Sequence, residues 1–590
     1  MLTGRRFVIW GLSRLSVRVA TALTAGGGAV TVVRLPGEAA LLQAQMGAEV
    51  CVLEALPETE IAGLARAELV GAACLLALSE DDGDNLRVTV AARALDPDVP
   101  VVLRAFDPLF ADQLEQSGSV RRAYSVSALA APAFVATACG DAVLETLRLG
   151  GGEVPLCRLT VRGGSPLAGL TPALVKARLG CAVMARAAGA EADWQAMGEA
   201  DADAPLRPGE QVLVGGPRDS VLAISARNAP WAGAKPRRAA PRKPALKAAR
   251  VPTRLWPIAA GLLLVLLGSV FVFQTALHLR WVDAIYFVVT TATTTGYGDI
   301  SLKDGPDWLK LFGCLVMLAG GALLGILFST LAAQATLERL DETQERRASR
   351  LSGHIVVAGL GNLGYRVARQ FADLGLEVVV VDLAPRSRFA GPLRAVAVVL
   401  SGDASFPETL ERAGAASAAA FVACTNDDLA NIQACLYARR LSPALVTVAR
   451  LSDDALAEHL PKALAINHAL SASQAAAGAF VGAATDALAL RPLTLPGLSL
   501  LAGRVLVGNA PLTADTVAAW RAEGLRVLAF RLPGGPPIAP SSLPPTLPPG
   551  AALIVCGPAS AVRRALNAYN SNTYGTSAPA SPPGVTFGSG

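Results

Sequence analysis

Two short stretches of this sequence hold residue types suited to binding chemistry. Residues 293–299 read TTTGYGD, a hydroxyl run, two glycines about a tyrosine, and a carboxylate. Residues 359–364 read GLGNLG, three glycines at the spacing that joins a strand to a helix. The first pattern suits a cation stripped of water, which needs inward-facing oxygens that backbone carbonyls of an extended loop can supply. Successive carbonyls point one way only if alternate residues take left-handed conformations, which glycine adopts at little cost. Gly296 and Gly298 meet that need, the Thr294 hydroxyl adds an oxygen, and the Tyr297 ring can pack outward and hold the aperture. The coordinating carbonyls are then those of Thr294, Thr295, Gly296 and Tyr297. One loop cannot close a ring, so four chains are required.

The second pattern suits a phosphate. Gly359, Gly361 and Gly364 allow a tight turn and a close approach to the N-terminus of the following helix, where unpaired N–H groups and the helix dipole favour an anion. Asp382 ends the next strand, in position to accept from ribose hydroxyls. Asn426 and Arg450 fall at later strand ends that face the same crevice.

The elements that must carry these residues are legible in the hydropathy. Leu255–Leu277 and Leu311–Leu337 contain no Asp, Glu, Lys or Arg. The first would span ~34 Å as a helix, enough for a hydrocarbon core of ~30 Å. The second is longer, as a tilted helix with its end in water would be. Between them, 284–293 reads as a short helix whose C-terminal dipole points at a cation. Non-helical backbone at membrane depth is tolerated where it lines such a pathway.

Eight Lys or Arg and no acids lie between Lys235 and Arg254, and Arg339, Arg346, Arg347 and Arg350 follow the second span. The positive-inside rule therefore places both ends in the cytoplasm. Beside a span, the basic run reads as an anchor to anionic lipid rather than a nucleic-acid site. Nine scattered cysteines without a CxxC pair fit a reduced compartment, and His278, His354, His459 and His468 form no ligand-spaced cluster. The N-terminus runs directly into a strand, with no cleavable signal expected.

An internal repeat surrounds the hydrophobic hairpin. FVIWGLSRLSVRVATALTAGGGAVTVV (7–33) parallels IVVAGLGNLGYRVARQFADLGLEVVVV (355–381). LRPGEQVLVGGP (206–217) parallels LPPGAALIVCGP (547–558). Alternating strands and helices imply an α/β fold with a parallel doubly wound sheet, twice, each followed by a small β-rich lobe. The expected organisation is a first N-lobe at 1–150, its C-lobe at 151–230, a basic linker at 231–254 and a pore module at 255–337. A linker at 338–352, a second N-lobe at 353–485, its C-lobe at 486–568 and a disordered tail at 569–590 complete it. Within the pore module the helices are expected at 255–277 and 308–337, with pore helix and filter at 283–299.

Helix, pore helix, TATTTGYGD (291–299) and helix resemble the pore module of two-span potassium channels. The flanking units resemble the RCK, or TrkA-like, domains of such channels and of potassium transporters, and the resemblance covers the chain to about residue 568. It implies a homotetrameric plasma-membrane channel for potassium ions, not an enzyme, with a cytoplasmic ring of RCK units that binds an adenine nucleotide or NAD(H). It implies a gating hinge at Gly320, in LAGGALLG, with Gly321 and Gly325 as a helix-packing pair. SGDAS (401–405) is similar to the family's Gly-Asp-Ala stretch, which puts Asp403 near an adenine. Two residues depart from the pattern: Thr295 stands where most relatives carry Val or Ile, and Thr290 where some carry a Glu that buttresses the filter.

The first soluble unit is worn at its crevice. GLSRLS keeps only Gly11, Arg34 follows where an acid would sit, and LEA (53–55) replaces Gly-Asp-Ala, so an empty site is expected. SEDDGD (79–84) admits a calcium reading, although it lacks EF-hand spacing and falls at a helix start. A calcium-gated or less selective cation channel is the alternative. A dehydrogenase, or a gating subunit for a separate transporter, would share the soluble fold. The first needs a substrate domain, and the second has no use for a filter.

Overall fold

The computed structural model describes the chain except residues 1, 39, 56–58, 150–151, 190–191, 199–200, 233–254, 304, 384–387, 486–490, 509–510 and 571–590. The basic run and most of the tail lie outside the described residues. The described chain forms two compact units, Ala240–Ser349 and the remainder.

In the larger unit each N-lobe is a six-stranded parallel sheet. The first runs Val50–Glu54, Ala29–Arg34, Arg6–Trp10, Cys74–Ala77, Val101–Arg104, Arg122–Tyr124 across the sheet. The second repeats that order from Val398–Ser401 through Ile355–Ala358 to His468–Leu470. Strands such as Cys74–Ala77 and Ile355–Ala358 are buried along their length, as unbroken apolar runs covered on both faces must be. In each sheet the order reverses beside the first strand, and a doubly wound sheet opens its ligand crevice at the carboxyl ends there.

The last helix of each N-lobe does not stay with its own sheet. Val126–Ala138 is buried from Leu129 to Ala138 and joins the core of Ile355, Val357, Leu363 and Val367 in the other lobe. Ala472–Ala484 places Phe480 in the core of Phe7, Ile9 and Leu23 in the first lobe. Phe480 meets the Tyr124 ring edge-on at 5.3 Å. A helix buried all round has no polar face to show water, which is why VSALAAPAFVATA lacks amphipathic spacing.

The C-lobes are antiparallel sheets. The first already begins with Ala142–Leu149, ahead of the expected boundary, because the preceding helix ends at Gly140 with φ +78°. Leu156, Met184 and Leu213 of this lobe share one core with Leu500, Leu528 and Ile554 of the other. Under the first lobe lies a buried carboxyl, Asp141, which accepts from Ser225 Oγ at 2.5 Å and faces the Arg162 guanidinium at 3.6 Å. Burial, beside Cys139 and against the pull of Ser225 and Arg162, pushes its pKa up to about 6. A carboxyl raised on folding favours the fold below its unfolded value and loses that contribution as pH rises to about 6. Denaturant titrations should therefore show stability falling by about 2–3 kcal/mol from pH 4 to pH 7 on this account. Asp141→Asn should remove that fall while keeping the Ser225 bond.

The described residues of the smaller unit form three helices, Leu255–Leu277, Trp281–Ala292 and Asp307–Ala348. The third is one continuous helix, so residues 338–348, expected as linker, are helical. Phe273 packs edge-on to Phe287 at 5.0 Å and against Phe312 at 5.5 Å, inside a small core with Val270, Val288 and Leu309. Outside it, Leu264, Leu311 and Leu318 are each more than 70% exposed. Two stretches, Ala260–Leu277 and Asp307–Thr330, have mean hydropathies of 2.2 and 2.4 and are long and apolar enough to cross a membrane. Core helices of a water-soluble domain would hide such faces; these turn them outward.

Candidate functional site

The residues after the pore helix adopt an alternating backbone. Thr294, Gly296 and Gly298 have φ of +58°, +54° and +81°, with Thr295 and Tyr297 between them outside the left-handed region. Glycine supplies two of the three left-handed positions; Thr294 takes the third at a typical cost of 1–2 kcal/mol. The Thr290 carbonyl fixes the loop's start, accepting from Thr295 N at 2.9 Å and Gly296 N at 3.1 Å. Tyr297 lies parallel to Tyr286 of the pore helix, ring centroids 6.3 Å apart.

The hydroxyl at 295 is not idle. Thr293 Oγ1 donates to Val289 O at 2.7 Å, so the 2.9 Å contact between Thr293 Oγ1 and Thr295 Oγ1 must have Thr295 as donor. That relay ties position 295 to the last turn of the pore helix, a link valine cannot make. On the channel reading that the resemblance implies, Thr295→Val should therefore shorten the dwell time of conducting openings severalfold with the sodium-to-potassium permeability ratio unchanged, as read in single-channel records. Thr295→Ser should restore the wild-type dwell.

Gly320 meets the end of the pore helix. A Cβ there would stand 3.1 Å from Ala292 Cβ and 3.3 Å from its Cα, whereas Gly321 and Gly325 have open space within this chain. Close packing was expected of the latter pair, and within one chain it is Gly320 that packs.

In the second N-lobe the three glycines have three separate causes. Gly359 turns at φ +93° with Thr425 N 3.0 Å from where a Cβ would sit. Gly364 lies so close to the turn that a Cβ would fall 1.9 Å from Gly359 O. Gly361 is the N-cap of helix Asn362–Asp373, makes no side-chain cap and has nothing within 4 Å of its Cβ position. That open space at a helix N-terminus is where an anion is best received. Asp382 Oδ2 accepts from Leu360 N at 2.6 Å and so holds the turn. Asp403 Oδ1 accepts from Ser405 N at 2.8 Å and Ser405 Oγ at 2.6 Å. Arg450 donates to Asn426 Oδ1 at 2.7 Å and to Thr425 O at 3.3 Å. The structure thus gathers Gly359, Gly361, Asp382, Asn426 and Arg450 at the carboxyl ends of one sheet, with Asp403 at the end of the strand beside Asp382.

Sequence reasoning passed over the residue that braces this rim. Asn431 is buried, accepts from Thr425 N at 3.0 Å and donates to Arg450 O at 2.9 Å. Asn85 makes the matching bonds in the first lobe, to Ser79 N and Arg104 O. Its recurrence after the paired acids, DDGDN and DDLAN, was the available signal.

The first crevice is closed by its own side chains. Ser13 caps the helix and reaches Leu78 O at 3.1 Å, while Ser16 Oγ donates to Gly11 O at 2.7 Å. Arg34, at the position of Asp382, pairs with Glu54, which by strand register stands where the second lobe has Ser401. The turn's acid exists after all: Glu38 Oε2 accepts from Leu12 N at 2.6 Å and Leu35 N at 2.7 Å, four residues beyond the expected place. The acids at 79–84 serve the loop itself. Asp81 caps the helix, Asp82 accepts from Phe106 N at 3.1 Å, and Asp84 pairs with Arg87.

Residues 7–125 and 355–472 match the TrkA-N domain, and residues 260–336 match the ion channel family. The chain is thus a two-span channel chain with a TrkA-N domain on each side of its pore segment. Among its relatives, a Trk system potassium uptake protein TrkA homolog from Pyrococcus abyssi is 36% identical over 17% of this chain and 44% of its own length. Probable potassium channel protein 2 of Methanocaldococcus jannaschii is 26% identical over 29% of this chain and 51% of its own. The matches span a third to about half of these curated relatives. The solved GsuK channel bound to NAD aligns over 96% of this chain and 79% of its own at 16% identity, TM-score 0.48.

Proposed function

We propose that four copies of this chain form a potassium-selective pore in the plasma membrane, with both termini cytoplasmic. The observation that carries the reading is the alternation of left-handed backbone at Thr294, Gly296 and Gly298. Such alternation aligns successive carbonyls, and a four-fold ring of them replaces a cation's hydration shell. The carbonyls of Thr294, Thr295, Gly296 and Tyr297 would face the ion. Gating would come from an adenine nucleotide or NAD(H) in the second crevice, its diphosphate at Gly361 and its ribose at Asp382. A ligand moves the gate only by binding one state of the channel more tightly than the other. No reaction is catalysed.

Purified protein in a planar bilayer, under opposed potassium and sodium gradients, tests this directly. Potassium-selective current whose open probability changes with ADP, ATP or NAD(H) is expected. Equal permeability to the two ions would replace the reading by a general cation channel, and gating by calcium alone would remove the nucleotide.

A further inference from the structure

Between the two C-lobes, away from both crevices, lies a cleft of about 180 Å³. Lys176 of one lobe and Arg521 and Arg526 of the other line it over a floor that includes Val183, Met197 and Val527. We infer that this cleft binds a small oxyanion, of phosphate or carboxylate type.

Burial, with repulsion from Arg521 and Arg526 beside it, holds the Lys176 ammonium below its ordinary pKa. Among the described residues neither Lys176 nor Arg521 has a carboxylate partner. Arg521 alone is explained by its place in the last turn of helix Ala514–Ala522, where a cation meets the dipole. Lys176, brought against it from the other lobe, is not. It stands on a π-helical turn, Val175–Leu179, closed by Gly180 at φ +68°. Such turns are rare overall and frequent at functional sites.

Arg526 already joins the lobes, donating to Arg521 O at 2.8 Å and across the cleft to Met197 O at 2.9 Å. An oxyanion seated there would take hydrogen bonds from Lys176 and Arg521 together, fastening one lobe to the other. Charge-assisted bonds of this kind are about twice as strong as neutral ones. The apolar floor has room for a short carbon body behind the anionic group, not for a dinucleotide.

The test is calorimetry and thermal melting of the full-length channel in detergent with inorganic phosphate, pyrophosphate and succinate as probes. One anion per chain is expected, with the melting temperature rising as it binds. The preference between phosphates and succinate identifies the head group. Lys176→Gln with Arg521→Gln should weaken binding at least tenfold. Without anion this double variant should melt no lower than wild type, since like-charge repulsion is relieved. Gly361→Asp should leave the anion's affinity unchanged, which separates this cleft from the nucleotide crevice. Failure of all three probes to bind saturably, or binding unaltered in the double variant, overturns the inference.

Discussion

If the proposed pore is right, Gly296→Ala should abolish potassium flux through reconstituted protein while the purified protein stays folded and keeps its wild-type oligomeric size. Its φ of +54° lies in the left-handed region, and nothing in its own chain approaches a Cβ within 4 Å. The cost is therefore conformational, about 1–2 kcal/mol per chain and four times that for a closed ring. Thr294 already carries one such strain. A second non-glycine two residues on leaves the loop a cheaper escape, in which the Gly296 carbonyl turns away from the axis. Potassium flux in vesicles at more than a tenth of the wild-type rate from Gly296→Ala would sink the carbonyl-ring account. Gel filtration of the same preparation guards against simple misfolding.

Gly361→Asp should lower adenine-nucleotide affinity more than a hundredfold without harming the fold. Gly361 is an N-cap with no side-chain bond, and aspartate is among the best N-cap residues, so the variant should melt no lower than wild type. The same carboxylate fills the approach to the helix and repels a diphosphate. Ser13→Asp, the matching change, should leave binding unaltered, because Ser13 and Ser16 already bond across that turn and Arg34 stands where the ribose acid would sit. Calorimetry should give about one nucleotide per chain. Two per chain, or binding lost in Ser13→Asp and kept in Gly361→Asp, would assign the ligand to the first unit.

Much of this architecture is legible in the sequence because its physics is local. Leu255–Leu277 stops where the polar His278 follows it. The strand–turn–helix of GLGNLG shows because each glycine answers a neighbour close in sequence or across one strand. Glu38 was not legible: it reaches the first turn from beyond the strand end, at a spacing no motif carries. Nor were the exchanged helices. Val126–Ala138 and Ala472–Ala484 are apolar over most of their length, and apolarity states that a helix is buried without stating where. Thr294's left-handed backbone was equally hidden, since a β-branched residue gives no local reason to adopt it.

The exchanged helices bear on how the protein is made. On the face of the first sheet where helix Arg14–Ala25 lies, the core stays incomplete until Phe480 and its neighbours arrive, and both membrane helices are synthesised in the interval. At ordinary elongation rates that wait is roughly 20 to 70 s. During it the nascent first lobe presents Phe7, Ile9 and Leu23 without the part of their cover that Phe480 supplies, while the hairpin enters the bilayer. Completion of the first half is thereby deferred to the second, so a ribosome that stalls in the pore segment leaves an aggregation-prone fragment rather than a finished domain. Chaperone engagement of this chain should concentrate in that window and end once residue 484 has left the exit tunnel.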